Sequence, residues 1–283
     1  MKKALCIGIN YYSSPNNTLN GCIDDVVNMK NMLIDAYGYQ DANIIVLRDD
    51  MTIKNAFYPT KQNILNNLKI LIDNSSQCDE IWLHYSGHGA IITQKVVAPN
   101  TVGVTNEVIV PVDFNVNGFI TDIDLYNIIN LSKCKSILLF DSCNSGSVCD
   151  LPYTFEYKNN TTYLQTQINT NVLSNPNIYM ISACKVAQKA RDAYDSDYRD
   201  YMGAFTDAFI RALRIANHNI DLLTLYRDIC ISLTQNGYTQ VPILSGSTFK
   251  INYVFARVST MGTSMKTISP TIINNGFKKL IYN

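Results

Sequence analysis

Two short segments of this sequence contain residues that could act together as a base and a nucleophile. In Tyr85-Ser86-Gly87-His88-Gly89 a histidine lies between two glycines, and in Asp141-Ser142-Cys143-Asn144-Ser145-Gly146 a cysteine lies among small and polar residues. A thiol becomes an effective nucleophile when a nearby base takes its proton or a nearby cation stabilises the thiolate. His88 and Cys143 are therefore candidates for nucleophilic catalysis.

The chain contains 3 histidines, and His88 has the position that best suits catalysis. His84 lies inside an apolar run and is interpreted as a hydrogen-bonded core residue, whereas His218 follows a helical pattern and is interpreted as a solvated loop residue. His88 lies beyond the apolar run, where its flanking glycines leave room for close approach of a ligand. His88 and Cys143 also have structural interpretations, as an incidental loop histidine and a buried turn thiol.

Both segments directly follow apolar runs that have the length and composition of buried strands. Six runs are predicted as strands: 4–9, 44–47, 80–84, 136–140, 178–182 and 241–244. Helical spacing of apolar residues alternates with them over 22–37, 61–72, 122–131, 203–216 and 221–235. Because the strands lack polar alternation, the predicted fold class is α/β, with a mostly parallel six-stranded sheet and helices on both faces.

This fold class predicts where the chemistry would take place. Ligands of open α/β sheets bind beyond the carboxyl ends of the strands, and parallel neighbours bring those ends to one edge. His88 and Cys143 each follow a strand and are expected to meet there. The polar stretch over 152–176 has little periodicity and is predicted as an exposed loop near that edge, and 256–283 has no assignable pattern.

Composition limits the classes of partner. The 283 residues are 47% hydrophobic and 16% charged, which is typical of a folded globular protein. Lys+Arg 23 and Asp+Glu 23 balance to zero net charge, which argues against nucleic-acid and membrane partners. No apolar run approaches the ~18–20 residues of a membrane span. The 8 cysteines lack close pairing, which favours a reduced, cytoplasmic location.

The segments around His88 and Cys143 resemble the two catalytic signatures of metacaspases, which are caspase-like cysteine peptidases. Further blocks that match the family in order lie at 2–11, 20–25, 110–114, 150–153, 181–185 and 203–205. The resemblance covers about residues 2–250 and is to the type I branch without its prodomain. It implies a caspase-like peptidase domain over 1–255, with a large-subunit-like part over about 1–150 and a small-subunit-like part over about 177–255.

The resemblance implies a catalytic role for three residues. Cys143 would attack the scissile carbonyl and His88 would transfer the protons, while the backbone N–H groups of Gly89 and Cys143 would stabilise the oxyanion. The separation of 55 residues between His88 and Cys143 agrees with the spacing of about 50 residues in caspases.

It also implies cleavage after Arg or Lys, with the basic side chain held by Asp25 and Asp141 and with Ser86 close by. A buried cation needs facing carboxylates, and a bidentate Arg–carboxylate pair adds fixed geometry. Each carboxylate has an alternative interpretation. Asp25 falls in the first turn of a predicted helix, where a negative charge is favourable with any substrate, and Asp141 could cap the turn after its strand.

Many metacaspases bind activating Ca²⁺ through four carboxylates. The matching positions here are Asn106, Asp122, Ile123 and Asp150. Two of the four are not carboxylates, so Ca²⁺ is predicted to bind weakly and not to be required, unless Asp124 or Glu107 substitutes. Asp122 and Asp150 could instead be solvated loop carboxylates.

The resemblance further implies protein or peptide substrates with basic residues, a monomer, and self-processing. Candidate self-cleavage positions are Lys158, Lys185, Lys189, Arg191 and Arg199. A catalytically silent caspase-like scaffold or regulatory binding module is the alternative. Zinc and phosphate chemistry are less favoured, because the chain has no CxxC, HExxH, GxxxxGK[ST] or GxGxxG spacing.

Overall fold

A mixed β-sheet runs through the centre of the molecule. A computed structural model describes residues 1–94, 104–143, 146, 148–159, 162–183 and 198–258. Within these ranges the strands are β1 (Lys2–Gly8), β2 (Ile44–Arg48), β3 (Glu80–Ser86), β4 (Gly89–Gln94), β5 (Val104–Ile109), β6 (Ile120–Thr121), β7 (Lys135–Asp141), β8 (Tyr153–Asn159), β9 (Thr162–Gln167), β10 (Ile178–Ser182), β11 (Ile220–Asp221), β12 (Ile243–Gly246) and β13 (Val254–Phe255).

Among the described residues, eight strands form the central sheet in the order β2-β1-β3-β7-β10-β12-β8-β9. The five strands from β2 to β10 in this order are parallel, whereas β12, β8 and β9 join through antiparallel pairs. All six predicted strands are present, and the α/β class with a mostly parallel core is confirmed. Two smaller antiparallel sheets, β4-β5-β6 and β11-β13, lie outside the central sheet.

The segment over 152–176, predicted as an exposed loop, is instead largely a hairpin that lengthens the sheet from six strands to eight. Its strands β8 and β9 pair with each other, and β8 pairs with β12. Phe155 is fully buried, and Tyr153 and Tyr157 pack against the same core. These aromatic residues alternate with polar ones at every second position, which is the pattern of a strand with one buried face and which the loop interpretation overlooked.

Helices cover both faces of the sheet. They are α1 (Cys22–Tyr37), α2 (Lys61–Asp73), α3 (Phe114–Asn117), α4 (Asp122–Ile129), α5 (Tyr198–Ile215) and α6 (Leu222–Gln235). Residues of α1, α5 and α6 share one hydrophobic core, and residues of α2 and α4 share the core on the opposite face.

Local signals explain where the helices begin and end. The Thr60 hydroxyl accepts the Asn63 N–H and caps α2, and Thr121 with Asp124 forms a capping box at the start of α4. Gly38 ends α1 with a φ of 71°, a conformation that glycine adopts without steric cost. The observed bounds of α1, α2 and α6 agree with the predicted ranges to within one residue at each end.

Strand β3 is the middle one of the five parallel strands and is buried along its whole length. Trp82 packs into one core, whereas Leu83 and Tyr85 pack into the other. Each fully buried side chain of this size contributes roughly 1.5–3 kcal/mol to stability. The edge of the sheet beyond β3 and β7 is therefore supported by two strands that are almost completely buried.

No helix in the described ranges is both long and apolar enough to cross a membrane.

After β13 the chain returns to α1, where the N–H of Val258 donates to the carbonyl oxygen of Ala36 at 2.9 Å. The predicted boundary at residue 255 and the division into large-subunit-like and small-subunit-like parts stay predictions. Residues 259–283, most of the predicted tail, lie outside the described residues.

Candidate active site

The register of β3 and β7 brings the segments that contain His88 and Cys143 together. The two strands are parallel neighbours, and Ser86 pairs with Asp141 at their carboxyl ends. His88 and Cys143 each lie two residues beyond this pair. The N–H of Gly87 donates to the carbonyl oxygen of Asp141 at 3.3 Å and ties the two ends together. Both residues thus lie at one edge of the sheet.

Gly89 and Cys143 are in close backbone contact. A Cβ atom at Gly89 would lie 2.1 Å from the carbonyl oxygen of Cys143, and real Cβ atoms do not approach backbone this closely. Only glycine allows the first residue of β4 to approach the loop after β7. This contact places the backbone of the two predicted oxyanion donors side by side.

The His88 imidazole is held by a backbone acceptor. Its Nε2 lies 2.8 Å from the carbonyl oxygen of Asn17. Because a carbonyl only accepts hydrogen bonds, we assign the proton of the neutral ring to Nε2, which leaves Nδ1 as the basic nitrogen. Burial lowers the pKa of His88, and the hydrogen bond to Asn17 opposes this effect. A neutral imidazole near neutral pH is suited to accept a proton.

Two buried carboxylates lie beneath the same edge. The Ser86 hydroxyl donates to Oδ2 of Asp25 at 2.7 Å. Asp141 is fully buried, and its Oδ2 accepts the N–H of Thr206 at 3.0 Å and the Thr206 hydroxyl at 2.7 Å. Its other oxygen, Oδ1, has no hydrogen-bond partner in the part of the chain that the structure describes. A buried, unpaired carboxylate oxygen is costly unless a ligand donates to it.

The pKa values of both carboxyl groups are raised. Burial raises the pKa of Asp25 to about 7, although the hydrogen bond from Ser86 opposes the change. The charges of Asp24 and Asp207 raise it further. Burial also raises the pKa of Asp141 well above its usual range, and the charge of Asp25 is the next cause. The two groups therefore repel each other when both are ionised, and a cation between them would relieve that repulsion.

Close packing of α1 on β1 fixes the position of Asp25. A Cβ atom at Gly8 would lie 2.5 Å from the carbonyl oxygen of Cys22, so glycine is required for this packing. The Cys22 N–H donates to Oδ1 of Asn10 at 3.0 Å, which anchors the start of α1 to the end of β1. Asp25 lies in the first turn of α1, as predicted.

Sequence analysis missed three contributors to the site. Thr206, which binds Asp141, directly follows the 203–205 block and could have been suspected from that position. Tyr11, which lies against the His88 ring, is the last residue of the 2–11 block. Asn17 contributes only its backbone carbonyl, so no side-chain pattern could have indicated it.

In the predicted weak Ca²⁺ site, unlike at Asp141, both oxygens of the buried carboxylate accept hydrogen bonds from the backbone. Asp122 accepts the N–H of Glu107 at 3.0 Å through one oxygen and the N–H of Ile123 at 2.8 Å through the other. Burial raises the pKa of Asp122 and of Asp150, and the charge of Asp122 adds to the effect on Asp150. Asp122 and Asp150 are partly enclosed, not freely solvated.

These residues fit a bound metal poorly. The Ile123 side chain has no ligand atom and is 49% exposed, and Asn106 offers a neutral amide in place of a carboxylate. Within the described residues, no group of three or more His, Cys, Asp or Glu side chains is arranged to hold a metal ion. No catalytic step is assigned to a metal.

Several predicted residues cannot be placed. Asn144, Lys185, Lys189 and Arg191 lie outside the described residues, as does the side chain of Arg199. Lys158 lies in β8, and its ammonium group forms an ion pair with Glu156 at 2.7 Å.

A doubly covered, mostly parallel sheet with a histidine and a cysteine past adjacent strand ends defines a caspase-like fold with a cysteine-peptidase type of site. A family model described as "Metacaspase, peptidase C14 domain" matches residues 2–152. The chain belongs to the metacaspase family.

Individual relatives agree with this assignment. Metacaspase-1 of Schizosaccharomyces pombe is 32% identical over 221 residues, which cover 77% of this chain and 48% of the relative. Metacaspase-1 of Candida albicans is 38% identical over 211 residues, 71% of this chain and 43% of the relative. This chain thus spans less than half the length of these two relatives.

A solved structure shows the same fold. The protein GSU0716 from Geobacter sulfurreducens matches 88% of this chain and 94% of its own with a TM-score of 0.59. At 15% sequence identity this similarity concerns the fold alone.

Proposed function

We propose that this chain is a cysteine endopeptidase that cleaves peptide bonds after Arg or Lys through Cys143 and His88. The Cys143 thiol gives its proton to Nδ1 of His88, and the sulfur attacks the scissile carbonyl carbon. The backbone N–H groups of Gly89 and Cys143 stabilise the oxyanion. The imidazolium then protonates the leaving amine as the C–N bond breaks, and water hydrolyses the acyl-enzyme.

The observation that carries the choice of substrate is Oδ1 of buried Asp141, which has no hydrogen-bond partner within the described ranges and lies near the Asp25 carboxylate. An Arg or Lys side chain supplies N–H donors and a positive charge at this point, and it offsets the repulsion between the two carboxylates. An Asp side chain would add a third negative charge and be rejected. The strand-cap alternative for Asp141 does not account for a buried oxygen that has no donor among the described residues.

Substrate binding and catalysis are also electrostatically linked in this proposal. After burial and the charge of Asp25, the charge of a Cys143 thiolate also raises the pKa of Asp141, so the thiolate and this carboxylate disfavour each other. A basic side chain bound at Asp141 reduces the local negative charge. Binding of the correct substrate therefore favours the thiolate that attacks it.

We also propose that the protein acts on basic peptide segments as a cytoplasmic monomer, that it processes itself, and that it does not require Ca²⁺. No disulfide joins the cysteines of the described ranges, as is usual in reducing compartments. Lys158 lies at the end of β8 with an exposed side chain, which makes the peptide bond after it our candidate self-cleavage position.

The test compares fluorogenic peptides that differ only in Arg, Lys or Asp before the cut. We expect turnover of the Arg and Lys peptides by the wild-type protein and none of the Asp peptide. Cys143→Ala and His88→Ala should abolish turnover, whereas Cys78→Ala, a matched change at another partly exposed cysteine, should not.

Intact-mass measurement of the same preparations tests self-processing, which should occur in the wild type and not in Cys143→Ala. Turnover of the Asp peptide alone would overturn the assignment of the pocket. Absence of any turnover, with an intact fold, would favour the silent scaffold.

A further inference from the structure

Two buried tyrosine hydroxyls lie together behind the edge of the sheet that carries His88. The hydroxyl oxygens of Tyr11 and Tyr85 are 3.2 Å apart, and both residues are fully buried. The Tyr11 hydroxyl donates to the carbonyl oxygen of Val110 at 2.7 Å. A Cβ atom at Gly87 would lie 2.6 Å from the Tyr85 hydroxyl. The glycine before His88 therefore makes room for the hydroxyl pair.

The two hydroxyls hold the main chain of His88 on both sides. The N–H of His88 donates to the Tyr11 hydroxyl at 2.9 Å, and the Tyr85 hydroxyl donates to the carbonyl oxygen of His88 at 2.7 Å. The Tyr11 ring also packs against the imidazole, with ring centroids 4.6 Å apart and planes inclined by 40°. Tyr11 thus contacts both the backbone and the side chain of His88.

Tyr11 adopts a conformation that is unfavourable for a residue with a side chain. Its φ is 57°, in the left-handed region. Asp49 stabilises this turn, because its carboxylate accepts the N–H of Asn10 at 2.8 Å and the N–H of Tyr12 at 3.1 Å. Backbone strain that is held by its surroundings in this way concentrates at functional sites.

We propose that Tyr11 is a positioning residue for His88, which fixes the imidazole so that Nε2 faces Asn17 and Nδ1 remains available to Cys143. This inference rests on the proposed function of His88 as the base. Loss of the hydroxyl would release the His88 main chain on one side and allow the ring to adopt unproductive orientations. Small errors in the position of a reacting group reduce turnover strongly.

The test is Tyr11→Phe, which removes one oxygen and keeps the ring. We expect kcat to fall about 10- to 100-fold, with KM for the Arg peptide within about twofold of wild type, because substrate binding is unaffected.

Tyr226→Phe is the matched control. The Tyr226 hydroxyl is also fully buried, donates to the carbonyl oxygen of Pro242 at 2.8 Å and accepts the N–H of Tyr157 at 3.2 Å. Tyr226→Phe therefore removes an equivalent pair of hydrogen bonds in a different part of the core. It should lower Tm to a similar extent but leave kcat within about twofold of wild type. A Tyr11→Phe variant that loses no more kcat than Tyr226→Phe would overturn the proposal.

A second readout does not depend on activity. With only 3 histidines in the chain, ring ¹⁵N NMR signals can be assigned, and those of His88 are identified by their loss in His88→Ala. We expect the neutral His88 ring to be protonated at Nε2 in the wild type and in Tyr226→Phe. Tyr11→Phe should shift these signals towards a mixture of tautomers, and unchanged signals would contradict the proposal.

Tyr85→Phe provides an independent variant should Tyr11→Phe not fold. It removes the donor to the His88 carbonyl, so the same loss of kcat and the same spectral change are expected. If His88 is not the base, wild type and His88→Ala will have equal activity. The NMR comparison of wild type, Tyr11→Phe and Tyr226→Phe does not depend on activity, so it tests the role of Tyr11 in either case.

Discussion

The molecule contains two regions of enclosed acidic residues, and they differ in how their oxygens are used. Beneath the catalytic edge, Asp141 has a buried oxygen without a donor among the described residues, and the charge of Asp25 acts on it. In the second region, both oxygens of Asp122 accept backbone N–H groups of neighbouring residues. Burial raises pKa values in both regions.

This difference shows that burial alone does not make a carboxylate a binding group. Hydrogen bonds from the chain itself satisfy Asp122, so it stabilises the start of α4 and the end of β5. Oδ1 of Asp141 accepts no hydrogen bond from the described residues, and in our proposal it accepts one from the basic side chain of the substrate. In this proposal, an aspartate serves structure in one region and substrate recognition in the other.

The largest expected effect that separates the two regions is that of Asp141→Asn. Loss of one partner of a buried charge pair costs about 2–5 kcal/mol, so kcat/KM for an Arg peptide should fall roughly 30-fold or more. Asp122→Asn, a matched change in the second region, should leave kcat/KM within about threefold of wild type. Steady-state kinetics with the Arg peptide measures both. Equal losses of kcat/KM in Asp141→Asn and Asp122→Asn would show that the two carboxylates do not differ in substrate recognition.

The pH dependence of binding is the next largest effect. The pKa of Asp25 is about 7 in the free protein, so protonation below pH 7 should weaken binding of an Arg peptide. Affinity should fall as the pH drops below 7, because a basic side chain then has to displace the proton of Asp25.

Binding to Cys143→Ala, measured by fluorescence polarisation, isolates this effect from catalysis. Asp25→Asn should bind more weakly at pH 8 and lose most of the pH dependence. A constant affinity of the Asp25-containing protein between pH 8 and pH 6 would contradict the assignment.

At pH 8, Asp25→Asn should weaken binding of the Arg peptide but raise the free energy of unfolding. The pKa of Asp25 is higher in the folded state than the ordinary value of 3.8, so the folded state binds the proton more tightly. This group therefore favours folding below about pH 4 and loses that contribution as the pH rises through about 7. Asp25→Asn should raise the free energy of unfolding at pH 8 by on the order of 1–2 kcal/mol. Urea unfolding at pH 8 and pH 5 measures it, and a destabilised variant at pH 8 would refute the prediction.

The smallest expected effect is that of Ca²⁺. With Ile123 and Asn106 at two of the matching positions, micromolar Ca²⁺ should change kcat/KM by less than about twofold. The peptide assay with added Ca²⁺ and with chelator measures this change. A sharp activation that chelator abolishes would show that the second region binds the metal after all.

Much of the framework follows from sequence because its signals are local. Gly38 ends α1 and Thr60 begins α2, and the apolar runs identify the six core strands without reference to the rest of the chain. The alternation of Tyr153, Phe155 and Tyr157 with polar residues is a local strand signal that the loop interpretation overlooked, whereas the pairing of β8 with β12 depends on residues far away in sequence.

The candidate catalytic residues His88 and Cys143 follow from residue type and order, and their catalytic role stays a proposal. Their partners do not follow from the sequence. Thr206 lies 65 residues from Asp141 in sequence, and its contact depends on how α5 packs against the sheet. The Tyr11–His88 contact spans 77 residues and involves a backbone N–H, which has no side-chain signature. In the second region, the backbone donors that occupy Asp122 are likewise invisible in the sequence.

The most direct test is covalent labelling with peptide electrophiles that differ only in an Arg or an Asp at the recognised position, followed by peptide mapping. The proposal predicts that the Arg probe modifies Cys143 and none of the other cysteines, that the Asp probe does not, and that His88→Ala and Asp141→Asn slow the reaction. Labelling of Cys143 at equal rates by both probes, or no labelling of Cys143 by the Arg probe, would contradict it.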